Sequence, residues 1–272
     1  MKIDLAQYKR DGYVIVDVLN TNEVAAYRAA ADELMSRPNY AGRQKFFYLT
    51  FLLPEFEAHG LHTAIHHPVL LDAVAQIIGP KLVFDNASVL CADPGTIYTQ
   101  GWHRDVLQVP QNQIDEGMFS DDWPHNNVQL NLALYADRCF WAVKGSHNRK
   151  NTAAEWAAFG GAKHMSPVEA RMPEGVEIVL KPGQAALYNN NMIHRGYGNP
   201  VQTPRRTLHI GYHSALHPPT FHFYGYNLEK LTPEFVASLS PKVREMVEAH
   251  IARRREFPDV SSTYKRPAYS VK

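Results

Sequence analysis

The sequence predicts a mainly β protein, a sandwich or barrel over about residues 81–215 with helices packed outside it. Two observations carry this. From Lys81 onward, short β-rich runs are parted by Gly, Pro, Asn and Asp: KLVFDNASVLCAD, IYTQGWHRDVLQV, NNVQLNLALYA, CFWAVKG, VEIVLKPGQAALY and RRTLHIGYHSAL. On either side of that region the pattern turns helical, with no internal repeat and no low-complexity linker.

In order along the chain, DGYVIVDVL (11–19) reads as a short strand after a turn. NTNEVAAYRAAADELMSRP reads as a helix capped by Asn20 or Thr21 and closed by Pro38. HPVLLDAVAQIIGP (67–80) is a second helix, with Leu70, Val74, Ile77 and Ile78 on one side and Gly79-Pro80 as its stop. NTAAEWAAFGG is a short helix inserted among the strands, and TPEFVASLSPKVREMVEAHIARRREF closes the chain with helices. One domain is expected over 1–272: a helical N-terminal region (1–80), the β core (81–215) and a helical C-terminal extension (216–272).

Composition excludes several classes. Apolar residues make up 45% and charged residues 20%, ordinary for a globular chain, and a formal net charge of +1 argues against bulk electrostatic binding to nucleic acid or an anionic membrane. Two cysteines, Cys91 and Cys139, form neither a disulfide framework nor a zinc ribbon. MKIDLAQYKRDGYVIV has Asp, Lys and Arg where a signal peptide needs an apolar core, and no run reaches the ~20 apolar residues of a membrane span. A cytoplasmic protein, monomer or homodimer, is expected.

The chemistry starts at QGWHRDVLQVP (100–110). In a strand, residues i and i+2 share a face, so His103 and Asp105 stand together and Arg104 points away. The pair is either part of a metal site lacking a ligand or a hydrogen bond that satisfies two polar groups. The kinase catalytic loop also begins HRD, but its Asn would fall at Pro110. KPGQAALYNNNMIHRGYGNP reads as a strand ending at a turn, with His194 near its end. Distant strands of a sandwich can bring 103, 105 and 194 to one mouth. Two histidines and a carboxylate with open positions form the facial triad of non-haem Fe(II) oxygenases. In TPRRTLHIGYH, Arg205, Thr207 and His209 share one face and Arg206, Leu208 and Ile210 the other. An inward arginine is costly unless it meets an anion, which a dicarboxylate cosubstrate supplies; two solvated arginines are the plainer alternative.

His103-x-Asp105, then His194, then Arg205 resembles the phytanoyl-CoA dioxygenase family of Fe(II)/2-oxoglutarate oxygenases. YKRDGYVIVDVLNTNEVAAYRAAADEL is similar to that family's N-terminal strand and helix, and VQLNLALYADRCFWAVKGSHNR to its central strand and turn, over roughly residues 5–215. Lys144 stands where the turn usually has proline, and the family's Asn-Gly is missing around Arg138-Cys139. The resemblance implies a double-stranded β-helix (jelly-roll) core. It implies Fe(II) held by His103, Asp105 and His194, 2-oxoglutarate gripped by Arg205, and dioxygen at the remaining position. It implies hydroxylation of a small organic molecule with release of succinate and CO2. A carboxylate at 105, where halogenating members have a small residue, points to a hydroxylase-type member.

Asn131 matches a family position near the cosubstrate and would donate a hydrogen bond to it, with Gln129 on its face. Thr207 would add a hydroxyl to the carboxylate held by Arg205, and Ser88 is a further candidate. Trp102, Trp141, His209 and HSALHPPTFHFYGYN are candidate pocket walls. His147 reads as structural, and ARRREF (252–257) as the solvated face of a terminal helix. The same cofactors also run desaturation, cyclisation or epimerisation. A 2-oxoglutarate-independent cupin-type metalloenzyme and a non-catalytic binding protein are the other rivals.

Overall fold

Strand β10 (Arg205–Ser214) is the spine of the molecule. It pairs antiparallel with β3 (Leu82–Ala92) on one side and β5 (Asn127–Ala133) on the other, and all ten of its residues are buried. The computed structural model describes residues 2–37, 47–50, 52, 60–105, 126–162, 165–217, 219, 221–225 and 228–259.

Two antiparallel sheets face each other as a jelly roll, the expected class. The larger has six strands in the order β1-β8-β5-β10-β3-β2, adding β1 (Tyr13–Asp17), β2 (Phe47–Thr50) and β8 (Gln184–Tyr188). The smaller has four in the order β4-β9-β6-β7, made from β4 (Tyr98–Thr99), β6 (Asp137–Val143), β7 (Gly175–Leu180) and β9 (His194–Gly198). The large sheet thus takes in two strands from before residue 81 as its edges. VEIVLKPGQAALY is two strands of different sheets, β7 and β8, because Gly183 turns the chain at φ +86°.

Helices cover the outer face of the large sheet, and the chain also forms α1 (Leu5–Asp11), α4 (Ala153–Phe159) and α5 (Pro233–Ser238). α2 (Thr21–Ser36) is capped by Asn20, whose side chain accepts from Asn22 and Glu23 N–H while Glu23 accepts from Asn20 N–H at 2.8 Å. α3 (Pro68–Ile78) has Pro at its first position and stops at Gly79, φ +85°. Leu34, Leu70 and Val74 on these helices join Leu208, Ile210 and Tyr212 of β10 and Val243 and Val247 of α6 (Pro241–Glu256) in the main core. Alternation sends the other side chains of β10 toward the small sheet. Among the described residues no helix is long and apolar enough to cross a membrane.

Candidate active site

β4 and β9 bring the histidines together. Their ladder continues past Thr99: His103 N–H donates to His194 O at 3.0 Å and His194 N–H to His103 O at 2.9 Å. Two histidines 91 positions apart are therefore direct cross-strand partners, with ring centroids 4.5 Å apart. The expected continuous strand is here reduced to isolated bridges from His103 to His194 and to Met165, and residues 106–110 lie outside the described residues. Alternation holds nonetheless: Trp102 and Arg104 turn away while His103 and Asp105 turn in. His194 opens β9 rather than ending the strand before it.

His103 Nδ1–H donates to Gly101 O and His194 Nδ1–H to Met192 O, each at 2.8 Å. That fixes both tautomers and leaves each Nε2 with a lone pair. Both lone pairs face Asp105: His103 Nε2 lies 3.2 Å from Oδ1 and His194 Nε2 3.1 Å from Oδ2. The ligand atoms of the three residues all lie within 4.8 Å of one another. Three electron-rich atoms crowded this way, with their other ring nitrogens satisfied, fit a divalent cation. Burial works against charge on Asp105, but His222, His194 and the His103 contact hold its carboxyl well below the usual range. For His103, burial opposes the proton that Asp105 favours, and the balance is upward. Phe140 and Tyr188 wall the His194 ring, with centroids at 6.0 and 5.1 Å.

Arg205 reaches the same hollow, a small one of about 90 Å³ lined by His103, Asp105 and His194 as well. Its Nε–H donates to Asp137 Oδ2 at 3.0 Å, and its guanidinium lies 4.2 Å from the centroid of the Tyr98 ring. Burial disfavours its charge, yet Asp137 outweighs burial and keeps the proton on more firmly than usual. Asp137 is held below its usual range by Arg205 and Thr207 despite its own burial. With Nε pinned and one face stacked, Nη1 and Nη2 form a fixed fork. Both are buried, and neither has a hydrogen-bond partner among the described residues. Gly196 permits this packing: a Cβ there would sit 2.4 Å from Tyr98 Cε1.

The other expected residues are placed as follows. Asn131 lines the hollow, and its Oδ1 accepts from His209 Nδ1–H at 2.9 Å. His209 lines it too, and burial lowers its pKa to about 3. Thr207 does not line it: its hydroxyl donates to Asp137 Oδ2 at 2.5 Å, so it steadies the carboxylate behind Arg205. Gln129 accepts from Tyr188 OH at 2.7 Å, away from the hollow. Ser88 is buried opposite His209 on β3. Trp102 belongs to a separate apolar cluster with Val143 and Phe159, and Trp141 lines a second hollow outside this one. His147 is buried in the turn after β6, as a structural residue. Tyr98 and Asp137 were not singled out in sequence, because each acts through a contact across the fold, while His222, within the candidate wall HSALHPPTFHFYGYN, does line the hollow.

A jelly roll carrying this constellation belongs to the non-haem iron oxygenases that use a 2-oxo acid cosubstrate. Within that class the chain belongs to the phytanoyl-CoA dioxygenase (PhyH) family, whose model matches residues 8–207. No curated protein matches its sequence significantly. Solved structures share the fold at low identity. AviO1 from Streptomyces viridochromogenes is 19% identical with TM-score 0.59, covering 79% of this chain and 96% of its own. HygX from Streptomyces hygroscopicus, solved with nickel and 2-oxoglutarate, is 18% identical with TM-score 0.60, covering 78% and 87%. SnoN, an α-ketoglutarate-dependent epimerase from nogalamycin biosynthesis, is 20% identical with TM-score 0.56, covering 77% and 81%.

Proposed function

We propose that the protein hydroxylates an unactivated C–H of a small organic molecule, using Fe(II), dioxygen and 2-oxoglutarate and releasing succinate and CO2. His103, Asp105 and His194 hold the iron, and Arg205 grips the distal carboxylate of 2-oxoglutarate. The observation that carries this reading is the Arg205 fork, two buried amino groups with no hydrogen-bond partner among the described residues, on a residue that lines the same hollow as the three ligands. Leaving such donors unmet costs about 1–3 kcal/mol each, and a carboxylate meets both at once. A cosubstrate-independent cupin-type centre has no use for that fork, and a non-catalytic descendant has no need of a complete ligand set.

The iron supplies oxygen activation when bound. The chain's own part is positional. The Gly101 and Met192 carbonyls aim the imidazoles, Phe140 and Tyr188 keep one flank dry, and Tyr98 with Asp137 orients the fork. Asn131, beside His209, presents its amide to the cosubstrate.

A natural-product substrate is supported by the company of the fold. HygX has been solved with hygromycin B, and SnoN with nogalamycin RO. The same neighbours motivate a second reading, epimerisation or ring closure, since SnoN is an epimerase and SnoK a carbocyclase. Product mass separates the two: hydroxylation adds one oxygen, epimerisation leaves the mass unchanged and cyclisation removes two hydrogens.

Anaerobic titration with Fe(II) and 2-oxoglutarate tests the centre. A weak visible charge-transfer band is expected in the wild type, absent in His194→Ala and Asp105→Ala. Iron binding without the band would hand the site to the cupin-type alternative.

A further inference from the structure

A fourth ionisable side chain reaches the ligand cluster from outside the family match. His222 lies beyond residue 207, on a 3-10 turn (Phe221–Gly225), and its Nε2 is 3.4 Å from Asp105 Oδ1. Its role follows from where protons are available. His103 and His194 have given their Nδ1–H groups to backbone carbonyls, so their Nε2 atoms offer Asp105 lone pairs. The Asp105 backbone N–H is spent on Asn190 O at 2.9 Å. When His103 and His194 give their Nε2 lone pairs to a metal, His222 is the imidazole beside the carboxylate whose Nε2 can still bring it an N–H. A carboxylate that gives one oxygen to a metal is held by a hydrogen bond to the rest of the group.

The turn carrying His222 is itself held by the C-terminal helix. Arg254 on α6 donates to Phe223 O at 3.1 Å, and its guanidinium lies 4.8 Å from the Tyr224 ring. Phe223 is buried against His213 and His250, with centroids at 5.2 and 4.4 Å. His250 anchors α6 to β3 by donating to Phe84 O at 2.9 Å. The basic run 252–257 is therefore not simply a solvated face: Arg253, which donates to His217 O, and Arg254 both clasp the segment that leads into the site.

We propose that His222 is a positioning residue of the metal centre, donating Nε2–H to Asp105, and that Arg254 on α6 sets its place. This rests on the iron site proposed above. The test is metal affinity rather than turnover. Purified full-length protein is titrated anaerobically with Co(II), following the ligand-field spectrum, with thermal melting of each variant as a fold check. His222→Ala is expected to weaken Co(II) binding about 10- to 100-fold. His222→Gln, which keeps an N–H donor, is expected to recover most of that loss. Arg254→Ala is expected to cost a few-fold, and the double variant no more than His222→Ala alone, since the two act in series.

Unchanged affinity and spectrum in His222→Ala, with binding lost in Asp105→Ala, would overturn the proposal and leave the iron site standing. Loss equal to Asp105→Ala, with no recovery in His222→Gln, would also overturn it, by making His222 a ligand. Additive losses in the double variant would remove Arg254 from the proposal. Full binding in Asp105→Ala would bring down the site itself.

Discussion

Arg104 and Arg205 are both almost wholly buried, at 4% and 2% exposure, and the fold treats them in opposite ways. Arg104 is saturated. It donates to Ser146 O, Asn191 O, Arg149 O and, through two nitrogens, Asn151 Oδ1. Burial drags its pKa down to about 9. Those bonds tie the His103–Asp105 segment to the turn after β6 and to the residues just before His194. Ser146 completes the clamp by accepting from Ile193 N–H at 2.8 Å. Arg205 is pinned at Nε and stacked on Tyr98, with two amino groups left over. Burial alone does not separate the two arginines; what the protein leaves unmet does.

The largest effect expected from breaking this comparison is structural. Arg104→Ala strands three carbonyls and an amide oxygen in a buried place, at a cost of about 4 kcal/mol. Chemical denaturation should show that loss, while 2-oxoglutarate affinity in the protein that remains folded should change little. If cosubstrate binding fell sharply without loss of stability, Arg104 would belong to the site and the division would fail.

The legibility of the two arginines in sequence differs for the same reason. The facing of Arg104, Arg205 and Arg206 follows from alternation, a local property, and so do His103 and Asp105. The β-rich texture after Lys81 and the Asn20 cap are also local, and they carried the fold class. What was hidden depends on distance along the chain. Asp137 meets Arg205 from 68 positions away, and Thr207 turns its hydroxyl to Asp137 rather than into the hollow. His222 sits in a histidine-rich stretch with no periodicity to aim it, and only packing on α6 delivers it. The edge strands β1 and β2 joined the large sheet through partners far along the chain, β8 and β3.

The next effect is on the cosubstrate. Arg205→Lys keeps a cation for Asp137 and so spares stability, but loses the planar fork. A loss of about 100-fold in 2-oxoglutarate affinity is expected, roughly 2.7 kcal/mol. Calorimetric titration of Co(II)-loaded protein reads it directly. Equal affinity in the lysine variant would mean that charge suffices and geometry contributes nothing.

The smallest effect is the sharpest control, because it comes from the neighbouring residue. Arg206 lies on the opposite face of β10, where Nε meets Asp32 at 3.0 Å and Nη2 meets Asp93 at 2.7 Å. Both acids are roughly 40–46% exposed, so solvent screens the pairs. Its remaining bonds go to the Ala92 and Arg205 carbonyls. Arg206→Ala should therefore cost about 1 kcal/mol of stability and less than a twofold change in 2-oxoglutarate affinity. The pair of variants then tests the strand's facing with a step of one residue. A larger cosubstrate defect at 206 than at 205 would require β10 to be rotated by one position, which would also turn Leu208 and Ile210 out of the main core. The two consequences stand or fall together, because a strand has only two faces.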